Sequence, residues 1–194
     1  MYQIKCSMQT RRIAQAVLLF AGLLLSVNSF AALNAYLTLE GAIQGEIKGS
    51  VTQSGREDSI MVIGYSHNSG MTKGSKKCTS SVAHEPLHIT KEIGASTPFL
   101  YQAFTDNELI TNFTLNFWRP SPTGQEEQYY TIELVNAHII GINQEMLNNK
   151  YPENMQHKER EHISFDYEQI IRTIKDEDSF NSSSDSWSAG CGKK

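Results

Sequence analysis

The chain has 194 residues, 39% of them apolar, and 17 Lys+Arg against 21 Asp+Glu give a net charge of −4. That length suits one domain with a substantial core. The acidic balance repels polyanions and argues against nucleic acid or an anionic membrane as partner.

The first 31 residues read as a secretory signal peptide. Lys5, Arg11 and Arg12 form a basic start, AVLLFAGLLL at 16–25 is an unbroken apolar run, and Ser29-Phe30-Ala31 places small residues where a signal peptidase reads. The run is too short to cross a bilayer, which takes about twenty residues. Removing it leaves 14 basic against 21 acidic side chains, a net charge of −7. The mature chain then divides into a folded domain, 32–175, and a polar tail, 176–194, expected to be flexible. Two cysteines remain, Cys78 and Cys191. Export permits a disulfide between them, but spacing does not show proximity, so a bridge and two exposed thiols both stay open.

Along the domain the apolar period is mostly two. AYLTLEG at 35–41 alternates, with Ala35, Leu37 and Leu39 facing in and Tyr36, Thr38 and Glu40 out. SIMVIGY at 59–65 is apolar on both faces and predicts a central strand. His67 to Ser80 has no period and is basic and glycine-rich, which predicts a long exposed loop of a length that often carries function. Val82 to Lys91 reads as one strand. Ser96-Thr97-Pro98 then looks like a helix N-cap with proline in the first turn, and Phe99, Leu100, Ala103 and Phe104 mark one face of a helix ending at Thr105-Asp106-Asn107. Strands resume over 111–119, 125–142 and 162–174, with the turn Pro120-Ser-Pro-Thr-Gly124 after the first and a polar loop at 147–161. The sum is mainly β: an antiparallel two-sheet barrel or sandwich with one flanking helix.

HEPLH at 84–88 has the letters of the zincin motif, two zinc-binding histidines with a glutamate base between them. A zincin needs those histidines on one helix face, and Pro86 would break that helix. On a strand His84 and His88 would lie roughly 13 Å apart, too far to share one zinc. They read better as half-exposed strand histidines near an edge or bulge. No nucleophile-elbow sequence frames a serine. No catalytic centre, metal or other cofactor is expected.

The stretch VAHEPLHITKEIGASTPFLYQAF (82–104) resembles the haemolysin-coregulated protein (Hcp) family of type VI secretion systems. So does NFWRPSPTGQEEQYYTIELVNAHI (116–139); AYLTLEGAIQGEIKG (35–49), ISFDYEQI (163–170) and DSW (185–187) are similar to its first strand pair, last strand and tail. The resemblance implies a two-sheet β-barrel with a flanking helix and no active site. It also implies HEPLH within a barrel strand. The expected partners are copies of itself, in hexameric rings that stack into a tube, with small effectors in the lumen and the system's spike and sheath alongside. The loop that meets the next ring would fall on 67–80. His67, Lys73, Lys76 and Lys77 belong to that loop, and its three lysines suit acidic residues of the adjoining ring such as Glu126 and Glu127. Family members are typically made without a cleavable signal peptide, so residues 1–31 depart from the pattern and point to a periplasmic or extracellular destination. The alternative is a secreted monomeric binding module, adhesin-like or carbohydrate-binding, with Trp118 and Tyr129 offered to a ligand.

Overall fold

In the computed structural model, residues 33–72, 81–121, 124–176 and 179–186 are described. The signal-peptide segment, Lys73, Lys76, Lys77, Cys78, Trp187 and Cys191 lie outside them. The strands are β1 (Ala35–Gly41), β2 (Gly45–Glu46), β3 (Ile60–Val62), β4 (Gly64–Ser66), β5 (Ser69–Thr72), β6 (Ser81–His84), β7 (Leu87–Glu92), β8 (Ile110–Pro120), β9 (Glu126–Val135), β10 (His138–Glu145), β11 (Arg160–Asp166), β12 (Gln169–Asp176) and β13 (Ser179–Ser186). The helix α1 spans Thr97–Thr105.

A seven-stranded sheet runs β13-β12-β9-β8-β1-β2, with β3 also on β1. A four-stranded sheet runs β10-β11-β7-β4, and β5-β6 is a separate hairpin. The pairings are antiparallel. The two sheets pack face to face. Phe113 of β8 meets Phe165 of β11 edge-on, ring centres 4.9 Å apart, within one cluster that includes Leu37, Leu115, Ile132, Leu87, Ile89 and Ile163. Mainly β, two antiparallel sheets and one helix were all expected. The sheets are not closed into a barrel: the molecule is a sandwich.

Three stretches that read as single strands turn corners between the sheets. SIMVIGY is not central; it splits at Ile63 into β3 and β4, and the Ile63 amide bonds Thr90 O at 2.8 Å. The run 125–142 splits at Asn136-Ala137, where Asn136 has φ 52° and Ile110 N bonds Ala137 O at 2.8 Å. The run 162–174 splits at Tyr167-Glu168. At the last two corners the buried series slips by one residue, from Leu134 to Ala137 and from Tyr167 to Ile170. That slip is what a change of sheet requires when side chains alternate strictly across each strand.

Val82–Lys91 is likewise two strands, not one. Pro86 has no amide to offer a ladder, and the chain passes there from the β5-β6 hairpin into the four-stranded sheet. The tail differs from expectation as well: Ser179–Ser186 forms β13, paired along all of β12. Its serine-rich sequence carries no apolar signal because the backbone ladder holds it.

In β7 the inward row is Leu87, Ile89, Lys91; in β11 it is Phe165, Ile163, Glu161. Lys91 and Glu161 are direct cross-strand partners and form an ion pair at 2.5 Å, their side chains 3% and 0% exposed. The Lys91 ammonium also donates to Glu92 O and to Thr97 Oγ1 at 3.1 Å. The Thr97 hydroxyl donates to Glu161 Oε1 at 2.9 Å and accepts from Gly94 N. Gln144 Nε2 donates to Glu161 Oε2. Ser96 occupies the N-cap position but makes no side-chain cap bond, so Thr97 ties down the helix start. Helix α1 buries Leu100 and Ala103; Phe99 and Phe104 flank that stripe, more exposed than the sequence pattern implies.

Just past the helix, Asn107 takes φ 49° and Glu108 N bonds Ala103 O, a left-handed helix stop. The buried Glu108 carboxylate accepts from Ile43 N (2.6 Å), Gln44 N (2.8 Å) and Gln44 Nε2 (2.7 Å), which fixes the β1-β2 turn. A Cβ on Gly41 would lie 2.3 Å from Glu108 Oε1, so glycine is needed there for space. Burial pushes the Glu108 carboxyl up, but the bonds from Gln44 and Ile43 outweigh it and hold the group below its ordinary value.

Truncating Glu161 to Ala leaves a buried ammonium unpaired and is expected to cost about 3–5 kcal/mol, whereas Lys91→Met with Glu161→Leu costs far less; urea unfolding of both variants measures this. The depressed Glu108 carboxyl contributes stability above the unfolded carboxylate value that is lost as pH falls through its folded value. Glu108→Gln is expected to lose about 1–3 kcal/mol near neutral pH and to flatten that acid limb in thermal melts recorded across pH.

Candidate subunit interface

Of the stretch 67–80 read as an open loop, Ser69–Thr72 is a strand that pairs as a β-hairpin with Ser81–His84, and 73–80 lie outside the described residues. Its register pairs Ser69 with His84, Gly70 with Ala83 and Met71 with Val82. Met71 is 77% and Val82 37% exposed, so this cross-strand pair presents an apolar face outward. Glu85 N bonds Asn68 O at 2.9 Å and closes the base.

His67 turns inward: its Nε2 lies 2.5 Å from the Tyr167 hydroxyl, and its Nδ1 accepts from Arg172 Nη2 at 3.1 Å. His84, expected half exposed, is buried. Its Nε2 lies 3.1 Å from Asp185 Oδ2 of β13, and its ring is 5.9 Å from that of His67 and 6.1 Å from that of Tyr167. Ile170 pairs with Asp185, and Arg172 with Ser183. The β12-β13 ladder therefore puts Arg172 and Asp185 on one face, beside the hairpin base. Burial lowers the His67 pKa, with further lowering from the Arg172 and His84 charges. Burial raises the Tyr167 hydroxyl to about 12, against an opposing pull from Arg172. It also raises Tyr65 and Tyr130 nearby. His88 faces away on β7 and meets Ser164 Oγ at 2.8 Å. Among the described residues no group of three or more His, Cys, Asp or Glu side chains is arranged to hold a metal ion.

Glu126 and Glu127 sit at the start of β9, and both are engaged within the chain. Arg56 pairs with Glu126, and Arg119 Nε lies 2.7 Å from Glu127 Oε1. Arg56 is the residue that periodicity missed. Its side chain is 8% exposed, stacked 4.6 Å from the Tyr36 ring centre and 4.4 Å from that of Trp118. This explains why Tyr36, expected to face solvent, is buried. Arg119 lies over Tyr129 at 5.0 Å. Trp118 and Tyr129 therefore pack under arginines and are not presented as an open ligand shelf. A sequence signal for Arg56 exists only in hindsight: a lone arginine in the turn-rich stretch between β2 and β3 of a chain whose other strand begins with acidic residues.

An antiparallel two-sheet scaffold with one flanking helix and a separate hairpin belongs to the class of β-sandwich proteins. The chain is a member of the Hcp family of type VI secretion: residues 36–173 match the family profile described as "Type VI secretion system effector, Hcp". It is 33% identical over 164 residues to the "Major exported protein" of Pseudomonas aeruginosa, covering 79% of this chain and 94% of that one. Among solved structures, a crystal structure of an Hcp protein aligns with a TM-score of 0.72 at 26% identity, covering 82% of this chain and all of that one. The secreted protein Hcp3 from Pseudomonas aeruginosa aligns at 0.66 and 29%, covering 81% of this chain and all of the other.

Arg56→Ala removes two stacked contacts and an ion pair and is expected to destabilise by about 2 kcal/mol. Arg56→Lys recovers little of it, because a compact ammonium does not stack as a planar guanidinium does. Denaturant midpoints, with Trp118 emission as a local probe, measure both.

Proposed function

We propose that the chain is an assembling subunit of a type VI secretion tube: six copies close into a ring, and rings stack. The observation that carries this reading is the family match across 36–173, which spans both sheets, the hairpin and the helix. A closed cyclic assembly satisfies every subunit with one repeated pair of surfaces. The hairpin supports the stacking role: it projects Met71 and Val82 as an exposed pair, and Lys73, Lys76 and Lys77 follow in sequence. Those lysines are proposed to approach acidic side chains of the next ring; Glu126 is more than half exposed despite its Arg56 partner. The ring lumen would carry small effectors, and the subunit would act by assembly, without turnover. Spike and sheath proteins would be its further partners.

Export is part of the proposal. Residues 1–31 are taken as a signal peptide and removed; relatives are likewise described as exported or secreted. Such a subunit would meet its partners outside the cytoplasm, where Cys78 and Cys191 could oxidise.

Light scattering and negative-stain microscopy on residues 32–194 test this. Six-fold rings of about 110 kDa, six times a chain of ~18 kDa, are expected. Met71→Asp should leave rings but abolish stacks, because it buries an unpaired charge in the stacking contact. A monomer at all concentrations would overturn the ring reading and favour a solitary secreted binding module.

A further inference from the structure

The base of the hairpin holds a cluster of ionisable groups that neither ring closure nor an apolar stacking face requires. Five segments contribute: His67 precedes β5, His84 ends β6, Tyr167 lies in the β11-β12 turn, Arg172 in β12 and Asp185 in β13. The proton positions follow from the donors. A guanidinium only donates, so the 3.1 Å contact from Arg172 Nη2 makes His67 Nδ1 the acceptor. The ring proton of neutral His67 is then on Nε2, donated to the Tyr167 oxygen at 2.5 Å. A second proton could enter only at Nδ1, against a permanent cation. We propose that this cluster is a pH-sensitive latch, in which neutral His67 clamps the β5-β6 hairpin to the edge of the seven-stranded sheet and protonated His67 releases it.

Among the described residues the other groups facing His67 are few. The ring of His84 stands 5.9 Å away with Asp185 beyond it, 3.1 Å from His84 Nε2. Tyr167 is uncharged in the physiological range, as are Tyr65 on β4 and Tyr130 on β9, whose hydroxyls are also raised. Glu85, next to His84, favours the protonated ring through a backbone bond and its carboxylate, but burial, Arg172 and His84 outweigh it. The sign follows. The unfolded chain takes up a proton near the ordinary histidine value, about 6.5, while the latched fold resists it. The latch is therefore fully closed above that value and weakens as pH falls through it. His67 ties the start of β5, and His84 the end of β6, to this cluster, so loss of the His67 contacts would loosen the β5 leg while leaving the core between the sheets intact.

Amide hydrogen exchange on the purified protein tests the latch independently of assembly. Only the consequence for stacking rests on the ring reading, and particle mass decides that separately. After correction for intrinsic rates, protection of 69–72 and 81–84 should fall about tenfold for each unit by which the fold depresses the His67 pKa, while β8 and β9 keep theirs. His67→Phe should abolish the acid-dependent change. Hairpin protection unchanged by acid, or an equal loss in His67→Phe, would overturn the proposal. If that variant does not fold, an NMR titration of the unsubstituted protein decides. A His67 midpoint below the ordinary range with a concurrent Arg172 shift supports the latch, and a midpoint within or above that range overturns it.

Discussion

Lys91 and Glu161 close the core of this protein at one end. The inward rows of β7 and β11 run apolar for two positions and then terminate in this opposed pair. There the space between the sheets opens toward the helix. Charges so buried are tolerable only when every donor and acceptor is satisfied. Thr97, Gln144 and the Glu92 carbonyl supply those partners. The consequence is geometric. Strands β7, β10 and β11 and the first turn of α1 are tied at a single point, so the helix has one place to lie. A row of leucines there would seal the core as well but would not fix the direction from which the helix approaches.

At the opposite margin, a second polar assembly sets the angle of the hairpin. The β5-β6 unit has a two-stranded ladder and little apolar burial, too little to hold a rigid position unaided. Its attachment depends on side chains that meet from far apart in sequence: His67 with Tyr167 and Arg172, and His84 with Asp185. The Ser-rich strand β13 matters for this reason. It adds almost nothing to the core, yet its ladder with β12 carries Asp185 to the hairpin base.

Arg56 has the same character on the other face of the larger sheet. Its planar cation fills the space between Tyr36 and Trp118 and turns two potentially sticky rings into packed surface. With Arg119 over Tyr129, the outward aromatic rings at that end of β8 and β9 lie under guanidinium groups. Met71 and Val82 of the hairpin, like Ile43, Met155 and Phe180 elsewhere, have no such cover.

Strict alternation made β1, β8 and the β9 core legible in the sequence alone, and the Ser96-Thr97-Pro98 start and Asn107 stop located the helix to within a residue. The one-residue slips at Leu134–Ala137 and Tyr167–Ile170 were also there to be read, but a period of two continues on either side of a corner, so only a change of phase marks it. The antiparallel, two-sheet, one-helix class and the family likeness were thus properties of the local pattern. The tertiary structure alone decided that the sheets stay open, that Pro86 separates two strands, that the Ser-rich tail is a strand, and that His67 turns inward while Tyr36 is covered. The inward turn of His67 depends on partners 100 and 105 residues away. Hydrophobic periodicity reports which side of a strand faces a core, and it carries no information about which distant polar group completes a buried charge.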